Sequence, residues 1–270
     1  MSEEQQPWQL AMFDKSLKKK MKIKLLQKHL GELDGKRCFM VTCGDNNGAM
    51  NLQLREAGGE WTWAEFEESA AGQIEALLNE PVIKLEMQTG QLPFDDETFD
   101  RIVVIDCHEH LEDPVLFTRE IGRTTKPGGR IVISVPNGDE RMLAVRIKNL
   151  VGMTREKYGH IVTGYDVPEL LKLLEQAKLK PVSSSYYSKF FTEMLELSIN
   201  YAYVMVLSKK GKVEVAPGTI APQSEQQLAS VGKSYRLYSL VYPLFRLISR
   251  LDALPFFNRG YAVVVEAVKG

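Results

Sequence analysis

Residues 92–137 constrain the fold more than any other part of the chain: LPFDDETFDRIVVIDCHEHLEDPVLFTREIGRTTKPGGRIVISVPN. The β-branched run at 101–105 suits a strand buried on both faces. An acidic loop follows this strand and leads into an amphipathic helix that begins at Pro114. An apolar, helix-spaced run follows to Thr124. The Lys126-Pro127-Gly128-Gly129 turn then reverses the chain, and a second β-branched run begins at Arg130. Strand, helix and strand in this order form a βαβ unit, which places the two strands parallel in one sheet.

The same alternation extends in both directions. Residues 38–42, 60–64 and 82–85 read as short strands, with helices over 49–57 and 67–78 between them. Residues 167–177 form an amphipathic helix, 179–187 a sixth strand and 260–268 a late, strongly apolar one. The fold class expected is α/β, a doubly wound, mostly parallel sheet with helices on both faces. Residues 1–35 read as a helical lead-in with many lysines, either a solvated face or a basic patch. Residues 36–190 with 260–270 form the core, and 191–259 a helical lid inserted before the last strand. Within that insertion, 211–232 is polar and Pro/Gly-containing, and reads as a flexible excursion.

Bulk properties exclude several classes. The formal net charge of −1 gives no reason to expect a nucleic-acid partner. Three cysteines, Cys38, Cys43 and Cys107, lack zinc or disulfide spacing, so reduced thiols, a cytoplasmic setting and no metal are expected. No run of roughly 20 residues is uniformly apolar, so a spanning helix is not expected.

Four stretches carry a family resemblance. They are Leu92-Pro93-Phe94 leading to Phe99-Asp100; Glu109-His110-Leu111-Glu112-Asp113-Pro114; Lys126-Pro127-Gly128-Gly129 with Val135-Pro136-Asn137; and Gly159-His160 before Tyr165. In this order they resemble the class I S-adenosylmethionine-dependent methyltransferases, in particular the branch acting on small or lipid-linked molecules. The resemblance implies a seven-stranded sheet whose last strand is antiparallel. It implies S-adenosyl-L-methionine as cofactor, with S-adenosyl-L-homocysteine as product.

It also implies site residues. The first turn of the family has several glycines and a preceding acid; here the turn holds Thr42, Gly44, Asp45 and Asn46, and Met40 stands where the acid is expected. Asparagines tolerate left-handed backbone, which would preserve the turn. Asp45 is a substitute for the missing acid. Glu65 lies at the position that grips the ribose hydroxyls, Gln88 where the adenine amine is met, and Asp106 and Cys107 along the methionine side. His108, Glu109 and His160 are the candidates for acid–base or pocket roles, while His110 reads as a capping or packing residue. Residues 190–207 and 235–251 are apolar helices, the latter with Arg236, Ser239, Arg246 and Arg250 on one side and Pro243 as an expected kink or break. They read as a lid, a homodimer surface or a membrane-contacting element. The competing functional reading is a methyltransferase-like binding module with an eroded cofactor turn.

Overall fold

The computed structural model describes residues 6–209, 221–222, 224–254 and 259–270. Helices α1 (Trp8–Asp14) and α2 (Leu17–Leu30) precede β1 (Arg37–Thr42), α3 (Ala49–Glu56), β2 (Glu60–Glu65), α4 (Glu68–Leu78) and β3 (Val82–Lys84). Then come β4 (Phe99–Ile105), α5 (Pro114–Thr124), β5 (Thr125–Pro136), α6 (Leu143–Leu150), α7 (Val167–Gln176) and β6 (Leu179–Tyr187). Helices α8 (Phe190–Lys209), α9 (Glu225–Ser230) and α10 (Gly232–Ile248) precede the closing strand β7 (Ala262–Lys269). The expected excursion at 211–232 falls in large part on 210–220 and 223, outside the described residues.

The strands form one sheet in the order β3-β2-β1-β4-β5-β7-β6. All neighbours are parallel except β7, which runs antiparallel to both β5 and β6. The expected α/β sheet with an antiparallel closing strand is therefore present. Alternation along the strands divides the core between two faces. Phe39, Val41, Ile102, Val104, Ile131 and Ile133 meet Phe117 and Ile121 of α5 and Leu170 and Leu174 of α7. Met40, Val103, Ile105 and Val132 point the other way, against Leu26 and Leu30 of α2, Leu54 of α3 and Ile74 of α4. Helix α2 is thus one of the sheet's covering helices, and the lead-in is continuous with the core.

Local differences from the sequence expectations have physical causes. The lead-in divides at Lys15, because the Ser16 side chain accepts from Lys19 N and restarts the helix. The Lys126–Gly129 segment is a bulge inside β5 rather than a turn before it, with Gly128 at φ +71° and a register shift opposite Phe99 and Arg101. Pro243 does not divide α10; it lies exposed within one continuous helix. Helix α6 was not anticipated from the sequence.

Side-chain bonds tie the inserted helices to the body. The Asp252 carboxylate accepts from Phe191 N and Thr192 N at 2.7 and 3.1 Å, capping α8 from a distant loop. From α10, the Tyr235 hydroxyl donates to Ala11 O at 2.9 Å and the Tyr238 hydroxyl donates to Lys15 O. The α1–α2 corner and α10 together roof the carboxyl end of the sheet.

Candidate active site

Beneath that roof lies a cavity of about 1220 Å³. It opens where ligands sit in open α/β sheets, outside the carboxyl ends of the strands. Its floor is the β1 turn (Cys43, Gly44, Asp45) and the β4 end (Asp106, Glu109, His110); α2, α8 and α10 supply walls.

The β1 turn is built from glycines and asparagine side chains working separately. Gly44 and Gly48 take the left-handed conformations, at φ +72° and +90°. Asn46 and Asn47 do not adopt them, contrary to the expectation. They act through their amides instead: Asn46 Nδ2 donates to Thr42 Oγ1 and Asn51 Oδ1, while Gly48 N and Ala49 N donate to Asn46 Oδ1 and Asn47 Oδ1. A Cβ at Gly44 would meet the Glu67 carboxyl at 3.3 Å, so the backbone there is closely approached.

Glu65 is fully buried and does not line the cavity. Its carboxylate accepts from Gly44 N, Phe66 N and Glu67 N at 2.8, 2.8 and 3.0 Å, and from the Thr42 hydroxyl. Burial pushes its carboxyl up to about 7, against the pull of these four bonds. Glu65 therefore holds the turn together, and Glu67, two residues on, is the acid that faces the cavity. Gln88 is exposed and outside the cavity, while its neighbour Met87 lines it. Asn46, Thr42 and Cys107 also lie outside; Asp45 and Asp106 lie on the wall.

Lysines that the sequence left to solvent or to a surface patch point inward. Lys18, Lys19 and Lys22, on one face of α2, all line the cavity. Lys22 pairs with Asp106, Lys19 pairs with Asp45 at 3.3 Å, and Lys18 pairs with Glu193 at 3.1 Å. Glu193 also pairs with Lys148 of α6 and accepts from Ser188 Oγ at 2.6 Å. Despite burial, the two lysines bring the Glu193 carboxyl down to about 2. The lysines respond oppositely: Lys18 rises, whereas burial outweighs the pairing at Lys148 and lowers it. The i, i+1, i+4 spacing of Lys18, Lys19 and Lys22 was the available signal for one shared face.

After β4, Asp106 takes φ +50°, a conformation Asp tolerates better than most residues. The turn that follows carries His108, Glu109 and His110. His108 points into the core: it is fully buried, its Nε2 lies 3.1 Å from Thr118 Oγ1, and burial lowers its pKa to about 4. It does not line the cavity, so the geometry does not support its expected role as a base. Glu109 is also fully buried but does line the cavity, and among the described residues neither carboxylate oxygen has a hydrogen-bond partner. Burial first, then the Asp106 charge, raises its carboxyl well above the usual range.

The 155–165 segment folds over this turn. Ile161 N donates to Glu109 O at 2.8 Å, and the Tyr165 hydroxyl donates to His108 O at 3.2 Å. Gly164 permits the approach; a Cβ there would lie 2.2 Å from Pro136 O. His160 is thereby set edge-on to His110, with ring centroids 4.8 Å apart at 80°. Burial lowers both imidazoles, His160 to about 3.

Residues 40–133 match the profile of a family described as a methyltransferase domain. Demethylmenaquinone methyltransferase of Tropheryma whipplei is 27% identical over 112 residues, covering 36% of this chain and 47% of that protein. The chain thus spans about half the length of such curated relatives. A putative methyltransferase structure from Bacillus halodurans superposes with a TM-score of 0.57 at 15% identity, over 92% of this chain and 99% of that one. Geranyl diphosphate C-methyltransferase from Streptomyces coelicolor, solved with Mg2+, geranyl diphosphate and S-adenosyl-L-homocysteine, superposes at 0.54 and 12% identity, over 93% of this chain and 77% of that one. The segment that matches a methyltransferase domain contains the Gly44 turn, the inward-facing Glu67 and the Asp106 corner, so the residues that floor the cavity lie within the match.

Proposed function

We propose that the protein transfers a methyl group from S-adenosylmethionine to a small or lipid-linked acceptor held under α8 and α10. The cavity carries this reading. At about 1220 Å³ it exceeds one small-molecule site, for which ~300–1,000 Å³ is usual, and so has room for two ligands. The residues present fit the cofactor. Gly44 lets the backbone come close, Glu67 offers a carboxylate to paired hydroxyls, and Met87 offers an apolar surface to a purine. Asp106, Asp45, Lys19 and Lys22 give both charge signs needed by an amino-acid zwitterion.

When bound, S-adenosylmethionine supplies an electrophilic methyl on a sulfonium. The protein's part is alignment and the exclusion of water. The acceptor's lone pair forms the new bond to the methyl carbon in line with the breaking carbon–sulfur bond, whose electron pair stays on sulfur. A proton released from an acceptor hydroxyl or amine has a taker in the Glu109 carboxylate on the cavity wall, whose basicity burial raises. The test is calorimetry with S-adenosylhomocysteine. Wild-type protein is expected to bind, and Glu67→Ala to bind at least about tenfold more weakly, a loss of ~1.4 kcal/mol. Absence of binding by the wild type would favour a methyltransferase-like binding module instead.

A lipid-linked acceptor, of the kind suggested by the relative named for demethylmenaquinone, is supported by α10. Its tyrosines face the body, while Leu237, Leu240, Leu244 and Leu247 are 63%, 78%, 54% and 57% exposed. Lys233, Arg236, Arg246 and Arg250 are exposed beside them. Leucines rimmed by cations match an anionic lipid surface, and no helix among the described residues is long and apolar enough to cross a membrane. Flotation with anionic vesicles is expected to carry the protein, and Leu240→Ser with Leu244→Ser to release it. Failure to float, with concentration-dependent dimers in the ultracentrifuge, would assign the face to a second copy.

A further inference from the structure

We propose that Glu109, His110 and His160 form a centre for a divalent cation at the acceptor side of the cavity. One ligand atom from each of the three lies within 4.8 Å of the others. The two carboxylate oxygens of Glu109, in a fully buried residue, have no donor among the described residues. Buried polar groups without partners are rare and costly, and a carboxylate aimed at a cavity wall is ready to meet a cation.

The histidines are oriented as metal ligands are. His110 Nδ1 lies 2.9 Å from Gly159 O, so Nδ1–H donates there and Nε2 presents its lone pair. Metal-bound histidines commonly donate their second ring N–H to a carbonyl in this way. His160 stands nearly perpendicular to His110, which lets two nitrogens converge instead of stacking. Gly159, at φ +74°, supplies both the carbonyl that orients His110 and the turn that delivers His160. Three residues before Glu109, Asp106 lines the same cavity, its carboxylate paired with Lys22.

Two imidazoles and a carboxylate suit Mn2+, Co2+ or Zn2+ better than Ca2+ or Mg2+, which favour all-oxygen sets. Three protein ligands leave coordination positions open. On the methyl-transfer reading, on which this consequence rests, those positions take oxygens of the acceptor. The cation then orients the acceptor and acidifies its hydroxyl, so the proton passes to water in the cavity mouth while Glu109 stays a ligand. The acceptor class implied is an oxygen nucleophile, with a second oxygen nearby to complete the chelate.

The experiment uses full-length protein stripped with chelator, then titrated with Mn2+ and followed by the loss of the free-ion paramagnetic resonance signal. Co2+ and its visible absorption bands provide the second probe. About one ion per chain is expected, with Glu109→Gln and His160→Ala each weakening binding roughly tenfold or more. Circular dichroism and thermal melting confirm that each variant is folded, and His160, only partly buried, is the safer of the two. No binding of either ion by the wild type, or binding that neither folded variant weakens, would overturn the proposal. Calorimetry with S-adenosylhomocysteine on the same samples separates the two readings. S-adenosylhomocysteine binding without metal binding overturns only the metal centre. Metal binding without S-adenosylhomocysteine binding overturns only methyl transfer.

Discussion

Glu65 and Glu109 are two completely buried carboxylates at the same end of the sheet, in opposite states of satisfaction. Glu65 accepts three backbone N–H groups and a hydroxyl; the Glu109 side chain accepts nothing from the described residues. The first is a structural tie, spent on holding the β1 turn. The second is available, and lines the cavity. A buried acid thus signals function by what fails to meet it, and burial alone does not distinguish the two roles.

Glu193 calibrates the comparison, because it is buried and satisfied by charge. Glu193→Ala leaves Lys18 and Lys148 without their shared partner and is expected to cost ~3–5 kcal/mol in denaturant unfolding. Its folded pKa lies below its unfolded value, so its stabilisation is present above pH 4.5 and disappears as pH falls towards about 2. Glu193→Gln should flatten that acid limb, and an unchanged limb would contradict the pairing. Glu65→Ala comes next, at ~2–4 kcal/mol, because its donors lose their acceptor in a closed space. A smaller loss would mean that water replaces the carboxylate. Gly44→Ala should cost ~1–2 kcal/mol through its left-handed backbone and crowd Glu67, weakening S-adenosylhomocysteine binding beyond the loss of stability. Glu109→Gln is the smallest: in metal-free protein the melting curve should be unchanged within ~1 kcal/mol or shift upward, since no hydrogen bond is lost. Strong destabilisation by this change would erase the contrast with Glu65.

Much of the scaffold was legible because it rests on periodicity and local chemistry. The helix from Pro114 to Thr124, the Val167 helix and the 179–187 strand are encoded in a few adjacent residues. The site was only partly legible. Glu65 and Glu67 differ by two positions in the sequence, yet one faces the turn and the other the cavity. Only the path of the backbone after β2 decides between them. His108 and His110 are equally close in sequence, and the 3-10 turn sends one into the core and the other to the wall. The lysines of α2 looked like a solvent face because their partners, Asp45, Asp106 and Glu193, arrive from distant segments.

The position of β7 has a consequence for the order of assembly. It follows β6 in the chain, yet it lies between β5 and β6, and among the described residues β6 has no other neighbour in the sheet. Until residues 262–269 are in place, β5 has an open edge and β6 has nothing to pair with. Those pairings span long loops, whose closure entropy must be met before the contacts repay it. The β1 to β5 sheet with its turns can form while later residues are still being made, but the side that carries the lid helices has to wait. A nascent chain can therefore hold the Gly44 turn and the Asp106 corner in place before the cavity above them has its lid wall.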